Sequence, residues 1–117
     1  MKSTTKYTDN TGGGSDNASY VTATTDYLFL LAEFEVFGQR YGANSAEQNY
    51  QKQYDYYKNG NSRVRYKHND TGAACHWWLR SVYATSTHHF GLVYTDGSYS
   101  DGSAHYSSGF APGFKVA

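Results

Sequence analysis

His76-Trp77-Trp78-Leu79-Arg80-Ser81 decides the class of the fold. Two indoles in a β-prone run read as a strand. In a chain with only 17 Leu, Ile, Val and Phe among 117 residues, they must supply much of the core. Large rings can each bury roughly 150–250 Å², and 13 Tyr add to the supply. Side chains alternate along a strand, so one indole should point inward and the other toward a helix or the second face. Trp77, Trp78 and Arg80 are therefore read as structural, with Arg80 a planar fork in a buried or half-buried network.

Downstream, Phe90 to Tyr94 reads as a strand and Thr95-Asp96-Gly97-Ser98 as a hairpin turn leading to Tyr99. Gly109-Phe110-Ala111-Pro112-Gly113-Phe114 reads as a bulged or edge final strand. Upstream, Arg63 to Lys67 alternates as a strand, followed by a turn at Asn69-Asp70-Thr71-Gly72. Ser45, with Gln48 three residues on, signals a helix start. Tyr50, Tyr54 and Tyr57 recur on one helical face until Asn59-Gly60 stops it, and that stripe is expected to face the core. Ala32 to Phe37, ending at Gly38, reads as a shorter helix. Tyr27 to Leu31 reads as a strand buried on both faces, and Ser19 to Thr24 as a short edge strand. Helices early and β-ribbons late make the class α+β: one main helix, a short helix, mostly antiparallel strands and long loops.

Residues 1–19, rich in Thr, Ser, Asn, Asp and Gly, are expected to be a linker or irregular arm joining upstream domains of a longer protein. Residues 20–117 form the domain. Ten Lys+Arg balance ten Asp+Glu, so the basic footprint of a nucleic-acid binder is missing. The longest apolar run, 27–32, is far short of the roughly 20 residues that span a bilayer, so no membrane insertion is expected.

Five histidines, His68, His76, His88, His89 and His105, raise the question of a metal, but no pair has ligand spacing, and neither metal nor cofactor is expected. A nucleophile beside a base occurs locally only at Cys75-His76 or around Ser81. Strand neighbours diverge, which leaves a small hydrolase or transferase using Cys75 or Ser81 with His68 or His76 as an alternative reading. No catalytic residue is assigned. Glu33 and Glu35 are expected to be structural, one pairing with Arg80 or capping a backbone turn.

Residues 83–108 differ from their flanks. They contain no Lys, Glu, Gln, Met, Trp or Arg and are dominated by Tyr, Ser, Gly, His, Asp and Thr. That palette is close to antibody paratopes, where rigid rings combine with small adaptable polar groups. It also fits randomisation of both adenines in AAC or AAT codons, which never yields Lys, Glu, Gln, Met or Trp. Tyr83, Ser86, His88, His89, Leu92, Tyr94, Tyr99, Asp101, Ser103, His105, Tyr106 and Ser108 are the candidate ligand-binding residues. Phe110 and Phe114 join the structural set. The plain reading of the same segment is a Ser/Gly-rich loop and hairpin. A purely structural phage or envelope domain is a further alternative.

Taken in order, 26–38, 54–62, Trp77-Trp78-Leu79-Arg80-Ser81, Asp96-Gly97-Ser98 and Gly109-Phe110-Ala111-Pro112-Gly113-Phe114 resemble a C-terminal domain of unknown function common in gut bacteria and their phages. The resemblance covers about residues 20–117. It implies a C-type-lectin-like fold of the formylglycine-generating-enzyme type, as in variable proteins of diversity-generating retroelements. It further implies a display scaffold on a phage virion or bacterial cell surface, with a protein or glycan ligand on a cell surface as partner. Members often carry Cys where this chain has Gly91. Formylglycine-generating activity needs two active-site cysteines, and only Cys75 is present. The Glu-Pro-Asn, Gln-Pro-Asp and Trp-Asn-Asp motifs of calcium-dependent lectins are missing, so calcium-dependent sugar binding is not implied.

Overall fold

The computed structural model describes residues 2–67, 70–103, 109–110 and 112–114, with side chains described for 2–67 and 72–103. The class is mixed α+β, mostly sheet and mostly antiparallel. The chain opens with a hairpin of β1 (Thr4–Asp9) and β2 (Val21–Asp26), paired over six positions from Thr4 opposite Asp26 to Asp9 opposite Val21. β3 (Leu28–Leu30) leads into α1 (Glu33–Phe37). A 3₁₀ turn (Ser45–Asn49) and α2 (Asp55–Lys58) precede the hairpin β4 (Arg65–Lys67) and β5 (Asp70–Cys75). Then follow β6 (Trp77–Val82), β7 (His89–Val93), β8 (Tyr99–Ser103), β9 (Gly109–Phe110) and β10 (Pro112–Phe114). A four-stranded sheet runs β8-β7-β6-β9, while β3 pairs with β10.

Trp77 is 1% exposed and sits opposite Val93 across the sheet. With Leu31, Val36, Tyr57, Leu79 and Val93 it makes the core cluster, against which Phe29, Phe37, Tyr54 and Tyr99 pack. Its indole N–H donates to the Arg63 carbonyl at 3.0 Å, so the one polar atom of the buried ring is satisfied. Trp78 points the other way and meets Phe90 edge-on. Burying Trp77 explains why so few aliphatics suffice.

α1 is short but well closed. The Glu35 carboxylate accepts from the Ala32 N–H at 2.9 Å at its start, and Gly38 ends it with φ 71°. A side chain there would meet the left-handed penalty that glycine avoids. The β7–β8 turn likewise uses Gly97 at φ 88°, while Asp96 accepts from the Ser98 N–H.

Several expectations are corrected. Residues 1–19 are not an irregular arm: 4–9 form a fully paired strand whose Thr8 and Asp9 are buried. Thr-rich strands look like linkers by composition, yet β-branched Thr suits a pleated surface. The main helix expected from Ser45 to Tyr57 is interrupted between the 3₁₀ turn and α2. Asn44, not Ser45, caps the turn by accepting from the Ala46 N–H, and the Tyr54 N–H leaves the helical pattern to reach the Glu35 carbonyl at 2.9 Å. Only Tyr57 of the tyrosine stripe is buried. β3 is not buried on both faces, since Tyr27 and Leu28 are exposed and its partner in the described residues is β10 alone. Residues 109–114 divide into two strands in different sheets: β9 runs parallel to β6 and β10 antiparallel to β3. The turn expected at 69–72 is narrower, because Asp70, Thr71 and Gly72 already belong to β5.

Candidate functional site

The frame that holds 83–103 is a buried polar network. Arg80 leaves β6 and makes a two-pronged pair with Glu35 at 2.7 and 3.0 Å, while also donating to Thr8 Oγ1 and the Leu30 carbonyl. Lys6 adds a second cation at 3.0 Å from Glu35. Burial opposes ionisation of Glu35, but the Arg80 bonds and charge, with Lys6, outweigh it and hold the carboxyl below the usual glutamate range. Glu33 instead collects backbone donors from Tyr41, Gly42 and Ala43, pinning the loop after α1. Glu47 accepts from the Asp9 N–H, Gln51 and Ser81. Among the described residues neither makes an ion pair, and burial pushes both carboxyls up despite these donors and, for Glu47, the charge of Arg80. Both readings offered for the Glu33/Glu35 pair are thus realised, one in each residue.

From that frame the chain enters the segment of interest. The Tyr83 N–H donates to the His89 carbonyl, the Ser86 N–H to the Tyr83 carbonyl, and the Ala84 N–H to the Gly42 carbonyl at 2.8 Å. The last bond docks the 83–89 loop on the backbone that Glu33 pins. Gly42 is required there: a Cβ would lie 2.5 Å from the Tyr83 ring and 2.7 Å from the Tyr99 hydroxyl. β7 and β8 then pair in register, with His89 opposite Ser103 and Gly91 opposite Asp101.

At the loop end of this ribbon several candidates converge. His89 Nδ1 lies 3.6 Å from Asp101 Oδ2, His88 meets His89 edge-on, and Ser103 lies across from His89. Ser86, Thr87 and His89 form one wall of a cleft of about 240 Å³ whose other wall is Asp9, Asn10, Thr11 and Gly12, with Arg80 and Phe90 also lining it. The wall from β1's end was missed because 1–19 reads as linker. The Asp-x-x-Gly pattern of an Asx turn was the available signal, and Asp9 Oδ1 indeed accepts from the Thr11 and Gly12 N–H groups.

Other candidates are not brought there. Leu92 is 3% exposed and is a core residue, because β7 is covered on both faces. Tyr99 is largely internal: its ring stacks on Tyr41 at 5.1 Å and meets Phe37 edge-on, and its buried hydroxyl lies beside Glu33 without a hydrogen bond of good geometry. Burial and the Glu33 charge push that hydroxyl's pKa up. Tyr94 is exposed but stacks on His76 at 6.0 Å, about 17 Å along the strand from His89 at 3.3 Å per residue. Tyr83 is half-buried over Gly42. His105, Tyr106 and Ser108, and the side chains of Phe110 and Phe114, lie outside the described residues, as does His68.

Ser81 is fully buried, accepting from the Glu33 N–H at 2.9 Å and donating to Glu47, so its hydroxyl is part of the frame. Cys75 is a free, half-buried thiol opposite Arg65 in β5. Among the described residues no three His, Cys, Asp or Glu gather as a metal site, and no helix is long and apolar enough to cross a membrane.

A family model, the domain of unknown function DUF6273, matches residues 1–117. The chain belongs to the DUF6273 family. The match takes in β1 and β2 as well as the later strands, so the first 19 residues are part of the DUF6273 domain. No curated protein and no solved structure matches the chain.

Proposed function

We propose that this DUF6273 domain is a non-enzymatic, C-type-lectin-like display module. Residues 83–108 recognise a protein or glycan on a cell surface, in the manner of retroelement-diversified variable proteins borne on a phage virion or bacterial surface. One observation carries the reading: the polar side chains of Ser86, His89, Asp96 and Asp101 meet partners within the segment, while the buried polar network is built from residues outside it. Among the described residues, the segment adds only Ala84, Leu92, Val93 and Tyr99 to the packed interior. Ser86 Oγ accepts from the His88 N–H, Asp96 holds Ser98, and His89 faces Asp101. Glu33, Glu35, Glu47, Arg80 and Ser81 meanwhile tie α1, β1, the 3₁₀ turn and β6 together. Such a division lets recognition change while the fold stays.

The binding chemistry then rests on His88, His89, Ser86, Asp101 and Ser103 beside the 9–12 loop, with Tyr83 and Tyr94 at the margins. His105, Tyr106 and Ser108 complete the set. Rings with few rotatable bonds give contact area at low entropic cost, and the small polar groups adjust their hydrogen bonds. The test lies in the neighbouring DNA. A reverse-transcriptase gene and a near-copy of the repeat encoding 83–108, differing only at adenines, are expected. A locus with neither removes the diversification from this reading.

A further inference from the structure

Helical spacing would bury Tyr50 with Tyr54 and Tyr57, yet the break before α2 leaves its ring 57% exposed. It lies on Tyr7 of β1, with ring centroids 4.5 Å apart and planes 15° from parallel. One face of Tyr50 is covered by this stack, so the exposure belongs to the other. Beside that ring runs a groove of about 440 Å³, none of whose lining residues belongs to the 83–103 segment. Lys6 and Lys52 contribute two positive charges to its lining and Glu35 and Asp55 two negative ones. Lys6 is already engaged by Glu35 and by the Tyr54 hydroxyl at 2.9 Å. The balance offers no net field to an anion or a cation, and the charged lining does not suit an acyl chain.

Gln51, also in the lining, is fixed: its amide nitrogen donates to the Tyr7 carbonyl and to Glu47 Oε1, both at 2.9 Å. Its carbonyl oxygen is buried with no donor among the described residues and is closed off from the groove. A ring face is electron-rich and attracts weakly positive C–H groups. A flat aromatic face, with exposed Lys52 and Asp55 beside it and charges that cancel, matches a ligand with one C–H face and a rim of hydroxyls.

We propose that the groove beside Tyr50 is a binding site for a neutral pyranose sugar, independent of any metal ion and distinct from the cleft at Ser86 to His89. The outer face of Tyr50 stacks on the sugar ring. Lys52 and Asp55 reach its hydroxyls at the rim.

Affinity electrophoresis of the whole chain, in EDTA, through native gels containing neutral glucan, mannan, galactan or xylan tests the site. At least one polymer should retard the parent. Tyr50→Phe, which keeps the ring, should be retarded as the parent is, and Tyr50→Ala should weaken binding by about tenfold, the scale of one lost ring contact. A joint exchange of Ser86, His88, His89, Asp101 and Ser103 should leave retardation unchanged, which separates this site from the proposed display face. Titrating the matching oligosaccharide into the ¹⁵N-labelled parent should move the amide signals of Tyr50 to Asp55, and this reading does not depend on any variant folding. Retardation by none of the four polymers overturns the proposal, as does retardation that appears only with polygalacturonate, that survives Tyr50→Ala, or whose amide shifts map elsewhere.

Discussion

Glu33, Glu35 and Glu47 carry carboxylates into the interior, whereas Asp101 with His88 and His89 carries its polar chemistry at the surface. The difference lies in what each group's removal leaves behind. An interior carboxylate is satisfied by several fixed donors, and removing a partner strands a charge in low dielectric. The His89/Asp101 contact at 3.6 Å is half-exposed and long, and pairs of that kind contribute little. Two regions of similar polarity thus have opposite expected consequences for stability when their side chains are exchanged.

The comparison breaks most visibly at Arg80. Arg80→Ala leaves Glu35 with Lys6 as its sole counter-charge among the described residues and should cost about 3–5 kcal/mol, the scale for breaking a buried pair. Trp77→Ala should cost a similar 3–5 kcal/mol through the cavity it opens. Urea unfolding of each variant measures both. A loss below about 1 kcal/mol in either would place the core elsewhere.

Gly42 is where frame and face meet, and its substitution sharpens the boundary. Gly42→Ala puts a methyl against the Tyr83 ring and the Tyr99 hydroxyl, for an expected loss of about 1–3 kcal/mol. An equal melting temperature would show that Tyr83 and Tyr99 are free to move aside.

A smaller effect separates the interior carboxylates from one another. Glu47 has a raised pKa in the fold, so its ionisation subtracts stability as pH rises from the unfolded value through the folded one. Glu35 has a lowered pKa, and its contribution is present above the unfolded value and lost as pH falls through the folded one. In Glu47→Gln the first dependence vanishes. Melting of the parent minus that of the variant should therefore fall as pH rises above the usual glutamate range, and a difference that is flat or rising would reverse the assignment.

Much of the frame was legible because local chemistry agreed with the final packing. Gly38 ends α1, Asp96-Gly97 makes the β7–β8 turn, and Arg80 and Trp77 behave as a fork and an anchor. The misses are places where a distant partner overrides the local pattern. Tyr50, Tyr54 and Tyr57 keep helical spacing, but the Tyr54 N–H is claimed by Glu35 across the domain. β1 looks like linker because its stabilising bonds come from β2, Glu47 and Arg80, far along the chain. Of the proposed face, composition singled out Ser86, His88, His89, Asp101 and Ser103, which the fold gathers at one end of the β7–β8 ribbon. It could not separate them from Leu92, buried where β7 pairs with β6, or from Tyr99 of β8, packed against Phe37 and Tyr41. Nor could it reveal that Asn10 to Gly12 form the opposite wall.

The separation of recognition from stability is tested most directly by melting one protein in which Ser86, His88, His89, Asp101 and Ser103 are exchanged together for other small or aromatic residues. Exposed substitutions usually stay within about 0.5 kcal/mol each. The fivefold variant should therefore keep its circular dichroism and melt within about 10 °C of the parent, near 4 °C for each kcal/mol lost. Unfolding, or a melting point as low as that of Arg80→Ala, would contradict the account, because those side chains would then belong to the frame.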